Sequence, residues 1–441
     1  MIKSITNYVD YSLRFKAWKE WWLTPANNSA KHERLAITIC LSGLVIIIFM
    51  VTLTQVGIFY DEEAHLSSLA LLRETGLTHQ FLRYLPVSTG PLLPVIQLVT
   101  IPVTKGSLIG LRLLNLPLIV GSVIFLWLIL RHQNTHHAWS SAASLLTIPF
   151  MWLVSGVIFT EAPTIFCLSV ASCLVTIALV EESRFTESQR LLLVIGAGIF
   201  SGLAFAGRQT ALPIIAAVPL LLLRFRTSQA VITRNRLLPL IVFLVTSVVI
   251  PIWLIIVWQG ITPPSHVFIN EGLRLEHGVL NFAFAAILIM LLAPRILRMP
   301  FIVWVSLIGG SIITNATIFK IDIWFFTRAA KMVLPESLIP AYKFGSTGIL
   351  LGTGIGCLIA LIKTAWSRRH DPVAIFATAA TIMILAEAAK ITFAFTYRYT
   401  VTASPFIILL TAKEVVPNHF RIARLIFAQI LGALLLFDLL F

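Results

Sequence analysis

Charged residues are scarce in this sequence: Asp, Glu, Lys and Arg make up 12% of its 441 residues, against 58% hydrophobic. Soluble globular domains carry about 25% charged residues, so most of this length belongs in lipid. Acidic residues are the rarer sign, 19 against 33 basic, which leaves a formal charge of +14. That excess falls in short loops between apolar runs, where it orients a membrane protein, and nucleic acid is thereby excluded as a partner. Cysteine is sparse too. Cys40, Cys167, Cys173 and Cys357 each lie inside an apolar segment, which excludes a disulfide framework and a zinc site. Internal repeats and low-complexity stretches are absent as well.

The sequence is rich in apolar runs. About 20 such residues cross a bilayer, and about 13 spans are expected on that basis. The chain reads as an all-α polytopic membrane protein, with a cytoplasmic N-terminal segment over 1–34 and one transmembrane domain over 35–441. In the first segment Ile5, Val9, Phe15, Trp18 and Trp22 alternate with Lys3, Arg14, Lys16 and Lys19, a pattern that suits a helix lying on the membrane face. Predicted spans include 138–159, 210–223 and 400–412. The run 91–103 is short and proline-rich, and reads as a juxtamembrane helix inside the first external loop. Charge supports this: with the N-terminus inside, cytoplasmic loops hold 15 Lys and Arg, while short external loops hold only Arg208, Arg274 and Arg398. Counting 91–103 as a crossing would invert every later loop and destroy the bias. The two long external loops are then 57–107 and about 320–343, and loops of such length in a compact membrane protein carry function.

The stretch 57–66, Gly-Ile-Phe-Tyr-Asp-Glu-Glu-Ala-His-Leu, places three carboxylates and an imidazole where the first span ends. Such a cluster at the lip of a bilayer is costly to desolvate. In a helix, Asp61 and His65 are four apart and share a face. The same topology brings Glu161, Arg208, His266, Glu276, His277 and Arg398 to the external side. Glu63 reads as solvated surface, and Arg112 and Asn115 as packing and interface residues.

In this order, a first span, Tyr-Asp-Glu-x-x-His, then a loop with Ser-Thr-Gly-Pro-Leu, the chain resembles the glycosyltransferase C (GT-C) superfamily. It is most similar to the dolichyl-phosphate-glucose-dependent glucosyltransferases that add the terminal glucose of the lipid-linked oligosaccharide. Asp61, Glu62 and His65 match that family's Asp-Glu-x-x-His. Phe159-Thr160-Glu161 resembles its Tyr-Thr-Asp, Arg208-Gln209-Thr210-Ala211 its Arg-Gln-Thr-Asn, and Tyr397-Arg398-Tyr399 its Phe-Arg-Tyr. A Gly-Asp-Lys-Ser segment of the family has no match in 259–278, which leaves donor and acceptor open. The resemblance implies a sugar donor carried on a polyprenyl phosphate, and an acceptor that is a lipid-linked glycan, a lipopolysaccharide precursor or a protein. It also implies an essential acid in the first external loop.

Transfer from a sugar phosphate needs an acceptor hydroxyl to lose its proton as it attacks, and a carboxylate can take it. Asp61, first after the span, is the predicted base, with Glu62 the second candidate. The leaving phosphate departs with negative charge, which guanidinium groups bind and stabilise. Arg208 and Arg398 are the candidates, beside Gln209, Tyr397 and Tyr399, and Lys390 near the external end of its span could assist. Lys390 and Glu387 could equally be a mutually neutralising pair. Glu161 either orients the acceptor or caps the next helix. His65 either donates to the phosphate or, as the favoured reading, hydrogen-bonds Asp61. Asp61, Glu161 and His65 together would suit Mg²⁺ or Mn²⁺, and the superfamily contains members with and without metal. The expected setting is a multi-pass protein of a bacterial inner membrane, or of the endoplasmic reticulum in a eukaryote, acting at the non-cytoplasmic face. A lipid-glycan ligase or polymerase would share such a site. A transporter or flippase would place its charges near the midplane and often show two related halves, which this sequence does not.

Overall fold

In a computed structural model the chain is an all-α bundle; the residues described are 29–54, 56–180, 185–226, 229–231, 237–266, 272–321, 331, 334–391 and 396–441. The membrane-surface helix expected within 1–34 and much of the loop 320–343 therefore lie outside the described residues. Ten described helices are long and apolar enough to cross a membrane, from Ser29–Leu53 to His419–Leu440. This is a multi-pass membrane protein. Exposed Val45, Phe49, Val245, Val249 and Phe427 give its sides the apolar surface that lipid requires.

The described parts of all 13 predicted segments are mostly helical, but three are not continuous crossings. The segment 138–159 breaks into Ala138–Thr147 and Pro149–Gly156, bent by 67°. The segment 210–223 is a chain of short turns and one short helix over Gln209–Leu222, and 400–412 is a 3-10 turn, Tyr397–Ala403, followed by Ser404–Thr411. Proline explains the breaks. Pro149, Pro213, Pro219 and Pro405 each remove a backbone donor and clash with the preceding turn. Among the described residues two short strands depart from the helical pattern: Arg224–Arg226 pairs antiparallel with Gln229–Val231.

The first loop folds into short helices laid against the bundle end: Tyr60–Thr75, His79–Arg83 and Leu92–Thr104. At 13 residues, Leu92–Thr104 is about 20 Å long, too short for a hydrocarbon core of about 30 Å; it stays a loop helix as expected. The loop is pinned by a close backbone approach. The Gly90 N–H donates to the Gly207 carbonyl at 3.4 Å, and a Cβ on Gly90 would sit 2.1 Å from the Ala206 carbonyl oxygen.

Farther along, Phe301–Thr314 packs on Ile339–Ser367 through a glycine seam. A Cβ on Gly348, Gly352 or Gly356 would lie within 2.3–2.6 Å of Ile312, Ile308 or Trp304. Small residues spaced four apart let helix backbones touch, which is how helices associate without a hydrophobic drive in lipid. No residue of Phe301–Thr314 is fully buried, and its Trp304 ring is half-buried against the bundle.

Candidate active site

The site grows from one clamp. Acidic residues at the start of Tyr60–Thr75 suit the positive end of the helix dipole, and Glu62 goes further. Its Oε1 accepts from Arg112 Nε at 2.8 Å and from the Ile158 backbone N–H at 3.0 Å. Its Oε2 accepts from Arg112 Nη2 at 2.7 Å and from the Phe59 N–H at 3.0 Å. Arg112 also donates to the Gly57 carbonyl at 2.9 Å. Both side chains are sealed from solvent. Glu62 therefore has no free lone pair facing an opening, and in this arrangement it holds the helix start to Arg112 instead of facing a substrate. Arg112, read as a packing and interface residue, is the partner that sequence reasoning missed. Their pairing fixes the start of one helix against Val157–Glu161, which leads into the span Glu161–Val180.

Four distant stretches meet at this end of the bundle. Arg398, on the turn Tyr397–Ala403, donates through Nη1 to Asp61 Oδ2. Arg208, just past the helix Glu187–Gly207, donates through Nη1 to Glu161 Oε1. The two pairs are joined, because Arg398 Nε lies 3.6 Å from the same Glu161 oxygen. Aromatic faces wall the guanidiniums: Arg398 sits 4.9 Å from the Phe159 ring centroid. Tyr399 lies between the two cations, 5.2 Å from Arg208 and 5.9 Å from Arg398. Exposure rises across the network, from a buried Glu161 to an Asp61 side chain that is 33% exposed. The open end is the Asp61 end.

Burial alone would make Arg398 lose its proton more readily, but the Glu161 and Asp61 carboxylates outweigh it and hold the guanidinium above its ordinary range. His65 also faces this network. Burial pushes its imidazole down to about 4, against the upward pull of Glu161 and Asp61 and with the push of Arg398 and Arg208. It is neutral near pH 7. Among the described residues its buried Nδ1 has no hydrogen-bond partner, so the expected bond from His65 to Asp61 is not formed. Glu161 Oε2 is likewise buried with no partner among the described residues.

Three other candidates lie apart from the network. The Gln209 amide donates to the Ser88 carbonyl at 3.2 Å, holding the first loop down. Tyr397 stacks on Phe150 at 5.0 Å and leans on Phe284 at 6.2 Å. Lys390 pairs with Glu387 at 2.8 Å, and its side chain is 63% exposed; the pairing alternative fits it. His277 meets the Ile391 carbonyl at 2.6 Å through Nδ1, within the bundle. For a metal, the donor set does not fit in this arrangement: Asp61 and Glu161 each face a guanidinium, and no three metal-binding side chains converge among the described residues.

No protein-family profile and no curated protein matches the sequence. Two solved structures are similar. One is ArnT from Cupriavidus metallidurans in the apo state, at 13% identity and TM-score 0.39, covering 86% of this chain and 77% of that one. The other is the archaeal oligosaccharyltransferase AglB from Archaeoglobus fulgidus in complex with an inhibitory peptide and a dolichol-phosphate. It matches at 13% identity and TM-score 0.38, over 90% of this chain and 56% of that one, so the present chain spans little more than half its length. Likeness this distant assigns no chemistry.

Proposed function

We propose that this chain is a membrane glycosyltransferase of the GT-C type that moves a sugar from a polyprenyl-phosphate donor to a lipid-linked glycan or lipopolysaccharide-type acceptor. The reaction takes place at the non-cytoplasmic face. The observation that carries this reading is the meeting of Asp61, Glu161, Arg208 and Arg398, from four separate stretches, at one end of the spans.

The geometry supports the following chemistry. The acceptor oxygen attacks the anomeric carbon, Asp61 takes the hydroxyl proton, and the bond from that carbon to the phosphate oxygen breaks. The electron pair leaves with the phosphate, whose charge Arg398 and Arg208 receive. At rest Asp61 is masked by Arg398. An arriving phosphate competes for that guanidinium, so donor binding and unmasking of the base are one event. Glu161 is a positioning residue: one oxygen aims both arginines, and its unfilled Oε2 is an acceptor suited to a substrate hydroxyl. His65 supplies a neutral ring beside the carboxylates.

The test is to incubate the purified full chain with a panel of polyprenyl-phosphate sugars and membrane-lipid acceptors, and to read products by mass spectrometry. Sugar transfer that disappears in Asp61→Asn supports the reading. A diphosphate-linked donor used in place of the monophosphate would move it to a ligase or polymerase, and vesicle uptake without a covalent product would move it to a transporter.

A further inference from the structure

The opposite end of the bundle carries a second concave feature. A cleft of about 260 Å³ is lined by Arg295, Arg298, Lys363 and Arg368, with Glu414 as the one acid in its wall. Three segments build it: the turn Pro294–Leu297 that follows the span Leu275–Leu292, the last turn of Ile339–Ser367, and the turn Ala412–Glu414. Arg368 is spoken for. It pairs with Glu414 at 2.5 Å and donates to the Leu410 carbonyl at 2.9 Å, which cancels the acid. Arg298 and Lys363 are exposed, Lys363 donates to the Arg298 carbonyl at 3.4 Å, and among the described residues no carboxylate pairs with either. The wall therefore presents an uncompensated excess of positive charge. A positive bias at this membrane face explains cations in these loops, and a helix C-terminus favours them. Neither explains their convergence on one concavity.

Beside the cleft the surface is apolar and open. Phe301 is 82% exposed, Trp366 72%, Ile302 68% and Ile362 55%. The cations thus sit where a span ends and lipid-facing surface begins. A soluble anion would gain only the charge, whereas an acidic lipid gains both parts, its phosphate against the cations and its chains along the apolar wall. We propose that this cleft binds the phosphodiester headgroup of an anionic phospholipid, at the membrane face opposite the carboxylate–guanidinium site. The proposal does not depend on the chemistry of that site.

Native mass spectrometry of the detergent-solubilised full chain tests it, with palmitoyl-oleoyl phosphatidylglycerol and the matching phosphatidylcholine as probes. Each cation near a headgroup strengthens anionic-lipid binding about fivefold, so removing two in Arg298→Gln with Lys363→Gln should lower phosphatidylglycerol retention by about 25-fold. The pair Arg73→Gln with Lys105→Gln, exposed elsewhere, should retain it, and phosphatidylcholine retention should be equal in all three proteins. On the wild-type chain, raising NaCl from about 0.1 M to about 1 M should strip phosphatidylglycerol and leave phosphatidylcholine, a measurement that needs no variant to fold. Equal phosphatidylglycerol retention by wild type and the cleft variant, or indifference to salt, overturns the proposal. So does displacement of the lipid by inorganic phosphate at constant ionic strength, which would give the cleft to a soluble phosphate.

Discussion

Asp61 and Glu62 are consecutive carboxylates on one helical turn, each paired with an arginine, yet they live in different physical regimes. Glu62 is wholly enclosed and receives hydrogen bonds at both oxygens from Arg112 and two backbone amides. Asp61 is one-third exposed and shares Arg398 with a second acid. A sealed pair whose every lone pair is matched is a fastener. An open pair whose cation is shared is exchangeable, because an incoming anion can take the guanidinium without leaving a charge stranded. Adjacent residues in a helix point about 100° apart, and that rotation separates the two roles.

The comparison can be broken from either side. The largest expected effect is on rate: Asp61→Asn should cut sugar transfer by about 10²–10⁴-fold. The melting temperature should hardly move, since a partly exposed pair contributes about 1 kcal/mol or less. Glu62→Ala should do the reverse first, destabilising the fold by about 3–5 kcal/mol because it strands the Arg112 charge in the interior. Thermal unfolding in detergent reads this, and equal Tm loss in both variants would erase the distinction. Arg398→Gln should lower kcat by about 10²–10³-fold through lost stabilisation of the leaving phosphate, measured with a fixed donor. Gln209→Ala should cost about fivefold in kcat/KM, the value of one hydrogen bond of about 1 kcal/mol, by loosening the Ser88 loop.

The smallest effect is a pH dependence. The folded imidazole of His65 titrates near 4, below its ordinary value of 6.5, so the unfolded chain binds more protons between those values. Stability attributable to His65 is therefore fully present above about pH 6.5 and lost as pH falls toward about 4. The drop in Tm between about pH 7 and about pH 5 should be smaller in His65→Gln than in wild type. An identical drop would place His65 outside the buried network.

Much of this arrangement was legible in the sequence because charge records sidedness. The positive bias of alternate loops put Asp61, Glu161, Arg208 and Arg398 at one membrane end, and in the folded chain those four touch. The division of labour between Asp61 and Glu62 was not legible. It depends on Arg112, 50 residues on, and on the Ile158 amide, neither of which a local motif records. Gln209 and Tyr397 neighbour the two arginines in sequence, yet each is turned away to hold structure. Hydropathy averages apolar content without noticing a missing amide proton, so Pro149, Pro213 and Pro405 divided spans that read as continuous.

The glycine seam beneath Phe301–Thr314 has a consequence for how this protein can change over generations. That helix is attached at the Ile308 and Ile312 backbone and the Trp304 ring, and none of its residues is fully buried. Its outward residues are free to drift with the thickness and chemistry of the host bilayer, while Gly348, Gly352 and Gly356 on the neighbouring helix are not. Adaptation to a new membrane would be written on one helix and its permission on another.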